Sequence, residues 1–329
     1  MDGYGRRATD LRVSVTDRCN LRCTYCMPAD GLDWVPRDQV LTYEELARVA
    51  RICVDQFGFS AIRITGGEPT VRADLVRFVE MLQPLDVDLA LTTNGVRLSE
   101  LAGPLAAAGL GRVNVSLDSL CPETFLALTR RDALDDVLGG IDAAIDAGLH
   151  PVKLNCVVIR GVNDGEVVDL AAFARTRGVA LRFIEFMPLD ADGKWTMDAV
   201  VPAREILERI HDVFPLDGLE SEGDAPAPHV EPAARFAYAD GLGEVAVIAS
   251  VTAPFCADCD RVRITAEGRF RTCLFAHDET DLRALLRKGA DDDELAETIE
   301  RAVATKWAGH RIGHVDFVRP PRSMSQIGG

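Results

Sequence analysis

Six short β-branched runs, each followed by a longer amphipathic stretch, fill the first two thirds of this 329-residue chain and restrict it to an α/β fold. The runs lie at 11–15, 61–65, 88–92, 112–117, 152–158 and 181–186. Strands joined by helix-length connections run parallel, so the pattern predicts one parallel sheet faced by helices. Six βα units are too few to close an eight-stranded barrel. A partial (βα)6 TIM-type barrel is therefore the expected architecture, with a doubly wound sheet as its competitor. Neither a G-x-G-x-x-G turn nor a Walker A loop occurs, which counts against dinucleotide-binding and P-loop folds. Local punctuation agrees: Thr42 and Glu45 are spaced as a capping box, and Gly109 and Gly148 as helix terminators.

Beyond the sixth run the pattern changes. A stretch rich in Gly, Pro, Asp and Glu at 217–228 predicts a surface loop and a boundary between a barrel at 1–215 and a C-terminal α+β extension at 216–329. Inside the extension, strands are expected at 235–238, 244–250 and 261–265 and a hairpin turn at Glu267-Gly268. Helices should follow at 281–288 and 294–308, and then an extended tail. A formal net charge of −16 repels nucleic acid and anionic membrane alike, so any anionic ligand must be held by locally gathered cations. No apolar run approaches the roughly 20 residues that span a bilayer. Arg6 and Arg7 could open a twin-arginine signal, but Asp10, Arg12 and Asp17 interrupt the apolar region that should follow. A solvated N-terminal arm and a soluble cytoplasmic protein are expected.

Six of the nine cysteines fall into two groups, which in a chain without an export signal points to metal rather than disulfides. Cys19, Cys23 and Cys26 form C-x3-C-x2-C directly after the first strand, with Tyr25 just before the third thiol. Three thiolates on one loop suit a cubane iron–sulfur cluster whose fourth iron has no protein ligand. The second strand runs into Gly66-Gly67-Glu68-Pro69, at the carboxyl end where barrel sites are built, and its glycines permit close backbone approach to a ligand. Cys256, Cys259 and Cys273 form C-x2-C-x13-C. Spacing leaves two alternatives there: a second cubane, or a zinc site completed by His277. Cys53, Cys121 and Cys156 are isolated and read as core residues.

Arg12, Arg63, Lys153 and Arg182 each interrupt an apolar strand. Buried cations are costly unless an anion meets them, so they predict an anionic ligand in the barrel or, individually, carboxylate partners at the rim. Glu68, Asn94 and Asp118 follow strands and either face the site or cap the next helices.

The first cysteine group with its aromatic neighbour, together with the Gly-Gly-Glu-Pro turn, resembles the radical S-adenosylmethionine (SAM) superfamily. Within it the chain is similar to the molybdenum cofactor biosynthesis protein A family, the GTP 3′,8-cyclases. The similarity runs through segments 10–19, 63–69, 91–95, 114–118 and 182–187, Arg261-Val262-Arg263 and the final Gly328-Gly329. The resemblance implies a lyase that converts GTP to (8S)-3′,8-cyclo-7,8-dihydroguanosine 5′-triphosphate using SAM and two 4Fe–4S clusters. It implies one cluster on Cys19, Cys23 and Cys26 and another on Cys256, Cys259 and Cys273. By the same resemblance Tyr25, Gly66, Gly67, Glu68, Ser116 and Met187 contact SAM. Arg12, Arg63, Thr92, Lys153, Arg261, Val262 and Arg263 contact GTP, and Arg182, Gly328 and Gly329 serve catalysis. Implied partners are GTP, an electron donor of flavodoxin or ferredoxin type, and cyclic pyranopterin monophosphate synthase by functional coupling; a homodimer is allowed. The alternatives are another radical SAM enzyme with an auxiliary cluster, and a non-catalytic zinc or iron–sulfur nucleotide-binding protein.

Overall fold

The computed structural model describes residues 1–219 and 233–328. The six anticipated strands are β1 (Asp10–Ser14), β2 (Ala61–Thr65), β3 (Asp88–Thr93), β4 (Arg112–Ser116), β5 (Val152–Val158) and β6 (Ala180–Glu185). Between and after them come the helices α1 (Tyr43–Phe57), α2 (Leu75–Leu82), α3 (Leu98–Ala107), α4 (Pro122–Thr129), α5 (Leu134–Asp146), α6 (Val167–Arg177) and α7 (Ala203–His211). The expected capping box opens α1, where Thr42 accepts from the Glu45 amide and Glu45 from the Thr42 amide. Gly109 and Gly148 take the left-handed backbone just past α3 and α5.

The remaining strands are β7 (Ala234–Ala237), β8 (Glu244–Ile248), β9 (Arg261–Ile264), β10 (Arg269–Arg271) and β11 (Thr280–Asp281). They do not form a sheet of their own. The strand order is β11-β10-β9-β1-β2-β3-β4-β5-β6-β8-β7. β9 pairs parallel with β1 and β8 parallel with β6, so the C-terminal part lengthens the six-stranded parallel sheet at both edges. β8 and β9 do not pair with each other, which leaves the barrel open. The hairpin expected at Glu267-Gly268 joins β9 to β10, with Gly268 at positive φ.

The two faces of the sheet differ sharply in chemistry. Leu11, Val13, Ile62, Ile64, Leu91, Val113, Val115, Leu154, Phe183, Val262 and Ile264 are buried in one core cluster against the helices. Each such side chain contributes about 1.5–3 kcal/mol on burial. Alternate residues face the other way, and there the strands carry Arg12, Ser14, Arg63, Thr65, Thr92, Asn114, Lys153, Asn155, Arg182, Arg261 and Arg263. A parallel sheet covered on both faces is normally apolar on both. The polar inner face is therefore the first structural mark of a site.

The C-terminal helices are α8 (Leu282–Lys288), α9 (Asp292–Ala304) and α10 (Met324–Ile327). The expectation of an extended tail is corrected by α10, which carries its own capping box from Ser323 and Gln326. Four residues are too few to display a helical period, so only the cap could have announced it. The loop expected at 217–228 lies mostly outside the described residues, as does Gly329.

Candidate active site

β1 delivers the chain into the first cysteine loop at the carboxyl end of the sheet. A turn closes it, with the Cys26 amide donating to the Cys23 carbonyl at 3.0 Å and the Met27 amide to the same oxygen at 2.9 Å. Arg22 and Thr24 amides donate to the carbonyls of Thr129 and Leu128 and hold the loop against the end of α4. Burial pushes the Cys19 thiol up to about 11 and the Cys26 thiol up to about 12; it also raises the Cys23 thiol, with Asp118 and the two neighbouring sulfurs adding to the effect. Thiolates are unfavourable there without a positive partner, and iron supplies one.

The Gly-Gly-Glu-Pro turn supports this loop from behind. A Cβ on Gly66 would collide with the Thr16 carbonyl, and one on Gly67 with the carbonyls of Asp17 and Arg18. The Gly67 and Glu68 amides donate to the Thr16 and Arg18 carbonyls at 2.8 and 2.7 Å. The close approach that needs glycine is thus to the cysteine loop's own backbone. Glu68 is buried and accepts from the Thr70 amide at 3.0 Å, the Thr93 hydroxyl at 2.7 Å and the Asn94 amide at 2.6 Å. The Glu68 side chain therefore spans β2 and β3, capping as Thr70 and Asn94 require. Asn94 in turn donates to Asn20 at 2.8 Å and reaches Cys19 Sγ at 3.8 Å. Tyr25 donates its hydroxyl to Asp118 Oδ2 at 2.5 Å, while Asp118 Oδ1 accepts from the Val157 amide at 2.8 Å. Burial pushes the Asp118 carboxyl up to about 6.

On the inner face, sheet register sets Arg63, Arg12 and Arg263 side by side on β2, β1 and β9, with Arg261 one step away opposite Asp10. Arg63 divides itself between Asp10 at 3.4 Å and Asp88 at 2.9 Å, and keeps one buried Nη1 without a partner. Arg12 and Arg263 each bury an Nε that has none. Burial, then crowding by Arg261 and Arg263, holds the Arg12 guanidinium well below its usual range, and burial with Arg261 lowers Arg263 to about 10. A row of like charges under strain of this kind wants an anion. Further round, Arg182 donates to Asn114, and Asn114 to Thr92 at 3.3 Å, so these side chains share one lining with Lys153, whose strand position faces Asn114. Val262 is fully buried in the core on the opposite face, so its side chain is turned away from this row. Ser116 ends β4 beside Asn155, and Met187 packs with Leu189, Val251 and Ile327.

Cys256 and Cys259 lie on a short turn leading into β9, and Cys273 follows β10. Here the surroundings are cationic. Although burial pushes the thiol up, Lys306 and Arg261 hold Cys259 below its usual value. Gly309 abuts Cys256, where a Cβ would crowd the cysteine side chain. His277 is elsewhere: its Nε2 meets the Val318 carbonyl at 3.2 Å and its ring stacks on Trp307. Its Nε2 is thus turned to a backbone carbonyl rather than to a thiol. Among the described residues no three His, Cys, Asp or Glu side chains gather as donors to a single ion. Thiolates on separate irons of a cubane need not converge in that way, so both triads fit a cluster by donor chemistry.

The tail joins the two loops. Ser325 offers its hydroxyl and amide to Cys26, while Ile327 and Met324 pack into the apolar cluster that includes Cys273, Leu274 and Phe275. Ser14 donates to the Ile327 carbonyl at 3.3 Å, and a Cβ on Gly328 would collide with that same hydroxyl. Arg319 pairs with Asp190 and Arg322 with Glu267 and Glu279, which anchors the tail before it enters the barrel.

Sequence reasoning missed Ser325, Lys306 and Arg6. Arg6 is no solvated arm: it pairs with buried Asp2 at 2.6 Å and donates to the carbonyls of Cys256 and Ala308 at 2.5 and 2.9 Å. The i, i+4 spacing of Asp2 and Arg6 was the one local signal of a folded arm.

Residues 13–174 match the Radical SAM superfamily and residues 179–312 match Molybdenum Cofactor Synthesis C. The chain is similar to a GTP 3′,8-cyclase of Paenarthrobacter nicotinovorans, 51% identical over 343 residues that cover 100% of this chain and 96% of the relative. A GTP 3′,8-cyclase of Streptomyces coelicolor is 50% identical over 333 residues, covering 100% of this chain and 96% of the relative. Among solved structures, Streptococcus suis SuiB bound to S-adenosylmethionine superposes with a TM-score of 0.62 at 15% identity, covering 89% of this chain and 68% of that one, a likeness of fold alone.

Proposed function

We propose how this site is divided between its residues on the premise that the chain belongs to the GTP 3′,8-cyclases, radical SAM enzymes of molybdenum cofactor biosynthesis. The enzyme converts GTP to 3′,8-cyclo-7,8-dihydro-GTP and carries two 4Fe–4S clusters. When bound, SAM and the cluster held by the first triad would supply one-electron reductive radical chemistry, and the cluster held by the second would supply an iron able to bind the substrate. In our reading Cys19, Cys23 and Cys26 hold the first cluster and Cys256, Cys259 and Cys273 the second. Tyr25, Gly66, Gly67, Ser116 and Met187 line the SAM side, Glu68 acting by bracing the loop behind it. Arg12, Arg63, Lys153, Arg261 and Arg263 receive GTP with Thr92, and Val262 meets it through its backbone. Arg182 orients the lining through Asn114. Gly328 and Gly329 let the tail close the chamber against water, which a primary radical requires if it is to react only with the substrate held nearest.

In the same proposal residues 1–215 form the barrel that generates the radical and supplies Arg12, Arg63, Thr92 and Lys153 to the substrate, and residues 216–329 form the extension that adds the second cluster, Arg261 and Arg263. The electron comes from a flavodoxin- or ferredoxin-type donor, cyclic pyranopterin monophosphate synthase consumes the product, and the enzyme works in the cytoplasm as a monomer or homodimer. Among the described residues no helix is long and apolar enough to cross a membrane.

The observation that carries the substrate assignment is the Arg63–Arg12–Arg263 row, three neighbouring cations on one face with buried N–H groups left unmet. Arg12→Ala should weaken GTP binding by about 1.5–3 kcal/mol, roughly ten- to a hundredfold, since a charge-assisted contact is lost. SAM binding should be unchanged. Thermal stability of the nucleotide-free protein should hold or rise, because one repelling charge is gone. Calorimetric titration reads both affinities and scanning calorimetry the stability, and GTP affinity equal to wild type would overturn the assignment.

A further inference from the structure

We infer that Lys306 is a positioning residue for the second cysteine triad, fixing the Cys259 sulfur and raising the reduction potential of the cluster that the triad holds. α9 ends at Ala304, and the Thr305 and Lys306 amides close the last turn onto the carbonyls of Ala302 and Val303. This sends the Lys306 side chain inward, where the residue is 4% exposed. Its ammonium has two acceptors: the Arg261 carbonyl at 2.5 Å and Cys259 Sγ at 3.6 Å. Among the described residues no carboxylate pairs with it. A buried lysine without a carboxylate is expensive unless another negative centre compensates it, and the thiolate-bound cluster is the anion at hand. One-electron reduction adds a further negative charge next to this cation, so the cation favours the reduced state. Hydrogen bonds and charge at ligand sulfurs are the means by which proteins set such potentials.

The first triad offers the contrast. Its sulfur contacts come from neutral donors, the Asn94 side chain and the Leu21 amide at Cys19 and Ser325 at Cys26, and the carboxylates of Glu68 and Asp118 stand close by with Arg22 as the nearby cation acting on Cys19. The second cluster should therefore be the easier to reduce. Lys306 also ties the ligand to the start of β9, whose Arg261 and Arg263 face the substrate row, so loss of the lysine loosens both together.

The inference rests on Cys256, Cys259 and Cys273 being ligands, and the experiment separates the two. Lys306→Met, Lys306→Arg and Cys259→Ala are reconstituted anaerobically and titrated with dithionite while EPR follows each cluster, SAM addition marking the first. Lys306→Met should keep its iron and shift the second cluster to more negative potential with the first unmoved, and Lys306→Arg should restore most of the shift. Full iron content in Cys259→Ala sinks the ligand assignment. An unmoved potential in fully loaded Lys306→Met sinks the lysine's role alone. Should Lys306→Met lose the second cluster, wild-type protein carrying 15N-lysine decides: hyperfine coupling between the reduced second cluster and nitrogen that vanishes in Lys306→Arg upholds the contact, and its absence in wild type overturns it.

Discussion

Cys19, Cys23 and Cys26 come from a single loop and sit half-buried near Glu68 and Asp118, whereas Cys256, Cys259 and Cys273, equally half-buried, come from both sides of the β9–β10 hairpin and sit among Arg6, Lys306 and Arg261. The first site is one short loop braced from inside the barrel, by the glycine turn, the end of β3 and the end of α4, with Ser325 of the tail reaching Cys26. The second is drawn from two loops and braced by an N-terminal arm and the segment after α9. A site assembled around chain ends depends on how those ends seat, and it gains the freedom to import cations where they bias a redox centre.

Three perturbations sharpen this comparison, from the largest effect down. Gly328→Ala strikes the joint between the two sites, because the new Cβ collides with Ser14 and the backbone holds a φ of 80°. Turnover should be abolished while both clusters keep their absorbance, as a product assay beside the visible spectrum will show; an active Gly328→Ala enzyme would mean that the tail seats elsewhere during catalysis.

Arg6→Ala strikes the second site only. It breaks a buried ion pair with Asp2, a loss of about 3–5 kcal/mol, and releases the Cys256 carbonyl. Iron content should fall toward that of one cluster with the first cluster's spectrum retained, and calorimetry should show a lowered melting temperature. Equal loss from both clusters would erase the distinction drawn between them.

The smallest effect lies at neither triad. Hydrogen bonding to Arg112, helped by Arg63, holds the Asp88 carboxyl down at about 2. A carboxyl depressed in the folded state stabilises above its unfolded value of about 3.9 and ceases to do so as pH falls through the folded value. Wild type should exceed Asp88→Asn in stability at neutral pH by less than about 1 kcal/mol, given that the side chain is 44% exposed, and the gap should close between pH 4 and 2. Denaturant melts at stepped pH measure it. A gap that widened on acidification would reverse the assigned sign.

Much of the barrel was legible because its evidence is local. β-branched runs bounded by helix-length stretches located β1 to β6, and the Thr42–Glu45 box located the start of α1. The two cysteine groups were legible for the same reason: one lies on a single loop and the other brackets a hairpin, and both spacings survive in one dimension. Other features had no such trace. That Gly66 and Gly67 serve the cysteine loop's backbone depends on β1 and β2 being neighbours, and that β8 and β9 extend the barrel depends on pairings with β6 and β1.

By itself the sequence determined the parallel α/β architecture, the two cysteine triads and the presence of cations in apolar strands, since each follows from periodicity or spacing within a few residues. Only the tertiary structure decided that Arg63, Arg12 and Arg263 form one row, that His277 stands off the second triad, and that Arg6, Lys306 and Ser325 reach the cysteine loops. Strand register and the return of the chain ends bring together residues hundreds of positions apart, and no local pattern encodes that distance.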